Sequence, residues 1–159
     1  MKMEFLETQN LSEKQKLEII KLWNSEYPRA LNHNNVAEFD KYLNSLSNKH
    51  HILLLDETGN LKGWLIYFVR DYEQCFAMLL DASLQGLGWG SKFLNLAKER
   101  NSELNGWVID NDNEPKLNGK NYKSPIGFYY KNRFEIHKDI QLKKKNINGI
   151  KVIWKSNNK

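Results

Sequence analysis

The stretch Leu79-Leu80-Asp81-Ala82-Ser83-Leu84-Gln85-Gly86-Leu87-Gly88-Trp89-Gly90-Ser91 most constrains the fold, because it carries an apolar strand through a glycine-rich turn straight into a helix. Glycines at 86, 88 and 90 let the backbone adopt positive φ and approach a ligand closely. The first amides of the following helix have no intrahelical partner, and with the helix dipole they suit a phosphate. Two other glycine-loop chemistries are excluded by residues that are missing. A nucleotide P-loop ends in Gly-Lys-Ser/Thr, and no lysine stands between Gly90 and Ser91. A dinucleotide fingerprint needs G-x-G-x-x-G at the head of a parallel sheet; here the spacing is wrong and too little chain follows for a doubly wound fold.

The rest of the chain surrounds this turn with alternating patterns. Met3 to Gln9 reads as a strand, and Ser12 with Gln15 three positions on opens a helix with a capping box, its stripe formed by Leu17, Ile19, Ile20, Leu22 and Trp23. Asn35 caps a second helix bearing Val36, Phe39, Leu43 and Leu46. Three strands follow, His51 to Asp56, Leu61 to Arg70 and Cys75 to Asp81, which the short turns at 57–60 and 71–74 force to run antiparallel. A helix from about Gly90 to Leu104 is expected to stop at Asn105-Gly106, with Gly106 as left-handed cap. Trp107 to Asp110 is then a strand parallel to the one before the helix. A long polar loop, Asn111 to Lys123, leads to a short helix with Ser124 as cap and Pro125 in its first turn. Phe134 to Leu142 and Ile150 to Lys155 are two last strands joined across Asn146-Ile147-Asn148-Gly149, and Ser156 to Lys159 is a frayed tail.

The spacing Gln85-x-x-Gly88-x-Gly90 resembles the Gln/Arg-x-x-Gly-x-Gly/Ala signature of the GNAT superfamily of acetyl-CoA-dependent N-acyltransferases. Downstream, Phe128, Tyr129, Lys131 and Phe134 fall on the family's Phe-Tyr-x-Lys-x-Gly-Phe segment, with Arg133 where the family usually has Gly. The resemblance covers roughly Leu61 to Lys155. It implies a mixed α/β fold, one domain over residues 1–159, with a central, mostly antiparallel sheet of about seven strands, a parallel splayed pair and about four helices. It also implies acetyl-CoA as acyl donor, its pyrophosphate in the loop Gln85, Gly86, Leu87, Gly88, Trp89, Gly90 and Ser91. The pantetheine arm would run along Leu79, Leu80 and Asp81, with Phe128, Tyr129 and Lys131 closing the site.

In that family an amine attacks the thioester carbonyl and coenzyme A leaves as a thiolate. By resemblance Tyr129 is the general acid toward that sulfur. A phenol near pKa 10 is a weaker acid than a thiol near 8.5, so unaided proton transfer is uphill by roughly 2 kcal/mol. Tyr129 must then act by hydrogen bonding, or have its pKa lowered by neighbours such as Lys131; Tyr130 takes the role if the helix is rotated by one residue. The incoming ammonium must lose a proton. Asp81 at the strand end, Glu73 in the turn before it and Asp110 all qualify as base, and the sequence does not choose among them. Asp81 reads more readily as a solvated strand end or a cap for the loop. His33, between the first two helices, is placed where a substrate would lie.

Composition sets the remaining bounds. Among 159 residues Cys75 is the only cysteine, which excludes a disulfide framework, and the four histidines have no metal-site spacing, so no metal is expected. No apolar run reaches the length of a membrane span and the N-terminus lacks a signal-peptide core, so a cytoplasmic protein without a membrane partner is expected. The net charge of +5 fits a ligand carrying several phosphates and does not require nucleic acid. The acceptor is a small-molecule or protein amine that the sequence does not specify, for a monomer or homodimer. A non-catalytic acyl-CoA binder and a basic nucleic-acid module stacking bases on Trp64, Trp89 or Trp107 are the competing classes.

Overall fold

The computed structural model describes residues 2–145 and 147–157. Asn146 of the expected last turn, and Asn158 and Lys159 of the expected frayed tail, lie outside the described residues. The strands are β1 (Met3–Thr8), β2 (Ser47–Asp56), β3 (Leu61–Arg70), β4 (Glu73–Leu80), β5 (Glu103–Ile109), β6 (Glu135–Lys144) and β7 (Ile147–Lys155). The helices are α1 (Glu13–Glu26), α2 (Val36–Asn44), α3 (Trp89–Arg100) and α4 (Ile126–Lys131). The strands form one sheet in the order β1-β2-β3-β4-β5-β7-β6, antiparallel throughout except for β4 beside β5. This is the mixed α/β sheet expected from the strand order, including its parallel pair.

Local chemistry sets the element ends. The α1 capping box is complete: Ser12 Oγ accepts from the Gln15 amide at 3.1 Å and Gln15 Oε1 accepts from the Ser12 amide at 2.9 Å. Asn35 Oδ1 accepts from the Glu38 amide at 2.9 Å and starts α2. Asp71 and Tyr72 both have positive φ, 52° and 63°, as a two-residue hairpin turn requires, so β4 begins at Glu73 rather than Cys75.

Several boundaries differ from the sequence reading, each for a physical reason. Helix α3 ends at Arg100, and Leu104, Asn105 and Gly106 belong to β5, where they pair with Trp154, Ile153 and Val152 of β7. Gly106 is therefore no helix cap; a Cβ there would come within 2.7 Å of the Phe76 ring, so it is glycine to admit that ring. Leu17 is 58% exposed, because the helical period turns Ile19, Ile20, Leu22 and Trp23 inward and leaves it outside. The short helix α4 is capped by Pro125, whose carbonyl takes the Tyr129 amide at 3.1 Å, and not by Ser124, whose amide donates to Asp112 Oδ1 at 2.7 Å. Strands β2, β5, β6 and β7 run longer than their apolar runs, since polar residues such as Ser47, Glu103 and Lys144 still pair through the backbone.

Alternation along the central strands divides the core between the two faces of the sheet. Ile52, Leu54, Leu65 and Phe76 pack with Phe93, Leu94 and Ala97 of α3 and with Tyr129 of α4. Leu53, Trp64, Ile66, Phe68 and Leu79 pack with Ile19 and Trp23 of α1 and Phe39 and Leu43 of α2. Within the second core His51 is buried, and its Nδ1 accepts from Trp64 Nε1 at 3.0 Å. Burial, with Lys49 and His50 adding to it, lowers the His51 pKa from 6.5 to about 4. Between those values the unfolded chain binds a proton that the folded chain refuses, so stability rises with pH there and falls as pH drops from about 6.5 toward 4. The expected loss across that window is on the order of 3 kcal/mol, measured by urea unfolding at pH 7 and pH 4.5, and a His51→Gln variant should lose most of the slope.

Candidate active site

The parallel neighbours β4 and β5 meet at a single register pair, Cys75 opposite Asn105. There the buried Asn105 side chain ties the strands together: its Nδ2 donates to the Gln74 carbonyl at 3.0 Å and to Glu103 Oε2 at 2.9 Å. Past this point the strands part, and a cavity of about 910 Å³ opens, lined by Phe76 to Leu80 of β4 and Trp107 to Ile109 of β5. Trp23, Glu26 and Tyr27 of α1 and its exit face it, as do Gly127, Phe128 and Tyr129 of α4. Tyr27 Oη donates to the Met78 carbonyl at 3.5 Å, tethering the α1 exit to β4.

The glycine turn closes one end. Asp81 does not line the cavity; its Oδ1 accepts from the Ser83 amide at 2.9 Å and from the Ser83 hydroxyl at 2.6 Å, capping the short 3-10 turn at Ala82–Leu84. Burial works to raise the Asp81 pKa, but the two Ser83 bonds together with the Lys62 charge outweigh it and hold the carboxyl below its ordinary value. Gly86 and Gly88 have φ of 77° and 91°, the left-handed backbone the sequence predicts. Gly88 is the N-cap of α3 and supplies no side-chain cap, so the first amides of the helix are left for another acceptor. Gly90 differs from its neighbours: it lies inside α3 without positive φ, and a Cβ there would stand 2.8 Å from the Phe128 ring, so it permits close α3–α4 contact.

Of the residues singled out in the sequence, Leu79, Leu80, Gln85, Gly86, Gly88, Gly90, Ser91, Phe128, Tyr129 and Lys131 line the cavity together. Leu87 points to solvent, and Trp89 packs on Phe5 with ring centroids 6.0 Å apart while Lys92 Nζ lies 4.2 Å from its ring centroid. Glu73 opens β4, at the opposite end from the glycine turn, and both its oxygens accept from Lys151 Nζ at 2.7 Å. Tyr130 is 73% exposed whereas Tyr129 is 6% exposed, so the helix presents Tyr129 inward. Tyr129 sits among Phe76, Phe128 and Phe134, with centroids 5.7, 5.1 and 5.3 Å away. Burial drives its phenol pKa up, with Tyr122 adding to the rise, which is opposite to the lowering by Lys131 that the sequence left open.

Arg133 occupies the position where the sequence motif favours glycine, and it has φ of 69°. The Phe134 amide reaches the Tyr129 carbonyl at 3.0 Å and the Arg133 amide reaches the Tyr130 carbonyl at 3.1 Å, the paired bonds of a left-handed helix exit. The turn that glycine would make freely is thus made by arginine, at a backbone cost of roughly 1 kcal/mol.

Glu26 was invisible to sequence reasoning, since it is one more polar residue at a helix end. It is the single carboxylate lining the cavity among the described residues. Gln85 Nε2 lies 3.4 Å and Lys116 Nζ 3.8 Å from its Oε1. Burial lifts its pKa above the ordinary carboxylate value, with Lys116 pulling down and Asp81 pushing up. Lys116 belongs to the polar loop 111–125, a small hairpin bridged at Pro115 and Asn121 and held to the α1 exit by the Arg29 amide on the Pro115 carbonyl at 3.0 Å. His33 also lines the cavity; its Nε2 is buried with no hydrogen-bond partner, and burial lowers its pKa.

No protein-family model matches the sequence, and no curated protein matches it. Solved structures do. A protein from Acinetobacter baylyi assigned as an acetyltransferase aligns over 98% of this chain and 95% of its own, with TM-score 0.71 and 15% identity. A GNAT superfamily phosphinothricin acetyltransferase from Sinorhizobium meliloti, solved with acetyl-CoA, aligns over 98% and 89%, with TM-score 0.67 and 11% identity. Spermidine N-acetyltransferase from Vibrio cholerae, solved with coenzyme A and spermine, aligns over 95% of each chain, with TM-score 0.64 and 13% identity. The chain has the fold of GNAT acetyltransferases.

Because Gly106 admits the Phe76 ring on which Tyr129 leans, Gly106→Ala should destabilise the protein by about 1–3 kcal/mol in urea unfolding.

Proposed function

We propose that the protein is a cytoplasmic N-acetyltransferase that moves the acetyl group of acetyl-CoA to an amine, with residues 1–159 acting as one catalytic domain. The observation that carries this reading is the continuity of the cavity: it joins the uncapped α3 N-terminus to Tyr129 and Glu26 through the opening between β4 and β5. A turn with no ligand would not need an exposed helix start beside a cavity of this size. The similarity of the fold to structures solved with acetyl-CoA and with coenzyme A supports the same donor.

The residues present fit that donor. The α3 amides and the positive-φ glycines 86 and 88 form a concave, uncharged oxyanion acceptor suited to a pyrophosphate. When bound, acetyl-CoA supplies the acyl group as a thioester. Tyr129, kept protonated by its burial, offers a hydrogen bond to charge developing at the sulfur rather than a fully transferred proton. Glu26, made more basic than an exposed carboxylate by its burial, takes the proton from the incoming ammonium. It replaces Glu73, which is committed to Lys151, and Asp81, which is committed to Ser83.

Calorimetric titration with acetyl-CoA tests the donor site: one site is expected, with at least tenfold weaker binding in Gly88→Val, whose φ of 91° a β-branched residue resists. No heat from the wild-type protein would remove the reading. Tyr129→Phe should lower kcat roughly 100-fold while leaving acetyl-CoA affinity intact, measured by thiol release. Glu26→Gln should lose the acid limb of the pH–rate profile, whose midpoint in the wild type lies above the ordinary carboxylate value because burial raises this pKa. Glu26→Asp should restore part of that limb.

A further inference from the structure

The charge of the cavity is one-sided. Against Glu26, already beside Lys116, stand the cations Arg70, Lys116, Lys123, Lys131, Lys144 and Lys145. Three of these gather at the end away from the glycine turn. Arg70 closes β3 opposite Glu73, whereas Leu80, which leads into the turn, lies opposite Gly63. Seven residues of strand separate these positions, about 23 Å at 3.3 Å per residue, so a phosphate held at the α3 N-terminus is beyond the reach of Arg70. Lys144 and Lys145 arrive from the other side, on the β6–β7 hairpin, and Lys144 Nζ sits 5.7 Å above the Tyr42 ring of α2.

These cations have no ion-pair partner among the described residues. Two of the acids nearby are engaged, Glu73 with Lys151 and Glu38 with Asn34 at 3.1 Å, and Asp71, next to Arg70 in the hairpin turn, is exposed. Desolvation, then Lys145 and Arg70, lower the pKa of Lys144, as like charges gathered without an anion must. Between this cluster and β4 lies an apolar wall of Trp23, Tyr27, Tyr42 and Phe68. A polycationic acceptor would bring further positive charge against an uncompensated positive end.

Resting on the acetyl-transfer reading, we propose that the acceptor is an amine whose far end bears an oxyanion, a carboxylate or a phosphate, received by Arg70, Lys144 and Lys145. The planar fork of Arg70 suits either oxyanion, and the two lysines add point charges around it. The aromatic wall takes the stem that joins the two ends. Transfer forms the C–N bond at the amine and breaks the C–S bond of the thioester, releasing the free thiol. Of the two protons the ammonium loses, one leaves through Glu26 before attack and the other, shed from the nitrogen after attack, ends on the departing sulfur; the anionic end is unchanged. Acceptor choice thus follows from the charge of the distal wall.

The test compares matched acceptors in the purified protein with acetyl-CoA: 6-aminohexanoate against its amide, β-alanine against β-alaninamide, phosphoethanolamine against ethanolamine, and spermidine. Acid members should exceed their neutral partners at least tenfold in kcat/KM, and spermidine should be the poorer substrate. The phosphoethanolamine arm separates a phosphate end from a carboxylate end. Arg70→Gln and, on the outer hairpin, Lys144→Gln should each raise KM for the acid acceptors tenfold or more, with a smaller change for the partners that lack the acid and none in the calorimetric affinity for acetyl-CoA. Equal rates for acid and neutral members, preference for spermidine, or acetyl-CoA binding with no acid acceptor turned over would overturn the inference alone. Absence of acetyl-CoA binding would remove the acetyl-transfer reading and this inference with it.

Discussion

The site depends on one buried amide. Asn105 fastens β5 to β4 at the Gln74 carbonyl, and one residue further along Gly106 gives its space to the Phe76 ring. Parallel strands joined over their whole length would leave no opening between them. Strands joined at one point, and held there by a polar side chain that water cannot easily displace, form a wedge. The antiparallel hairpins on either side, β1 to β4 and β5 with β7 and β6, keep the two arms rigid. The chemistry of the cavity is then set by whatever each arm places along its inner edge.

Much of this was legible in the sequence, and the exceptions have causes. Positive φ at Gly86 and Gly88 was readable because only glycine meets that backbone freely, whereas the resemblance pointed to Tyr129 but left Tyr130 open, and burial decides for Tyr129. Gly90 and Gly106 were misread because the same residue type also serves close packing, a relation between distant segments that no local pattern records. Leu104 looked helical because apolar spacing does not separate the end of a helix from the start of a strand when only two residues, Asn101 and Ser102, lie between them. Glu26 and Arg70 gave no signal, since each is an ordinary surface type in sequence and acquires meaning only from what folds against it.

The same burial has opposite effects on the two groups proposed to handle protons. It raises Tyr129 away from physiological pH, so that the phenol stays a donor, and it raises Glu26 toward physiological pH, so that the carboxylate becomes a better acceptor. Burial in one cleft therefore separates the donor and acceptor roles proposed for these two groups. Lys131, exposed at the end of α4, leaves that balance to desolvation.

The single-point junction of β4 and β5 also bears on endurance. A sheet with a gap is missing backbone and side-chain contacts that a continuous sheet would have, and a long ligand lying in the gap supplies them to the folded chain alone. By mass action such a ligand adds RT ln(1 + [L]/Kd) to the unfolding free energy, about 2.7 kcal/mol at a hundredfold excess over Kd. The donor proposed for this gap would therefore raise the melting temperature with its concentration, and its depletion would return the fold to the stability of the open seam.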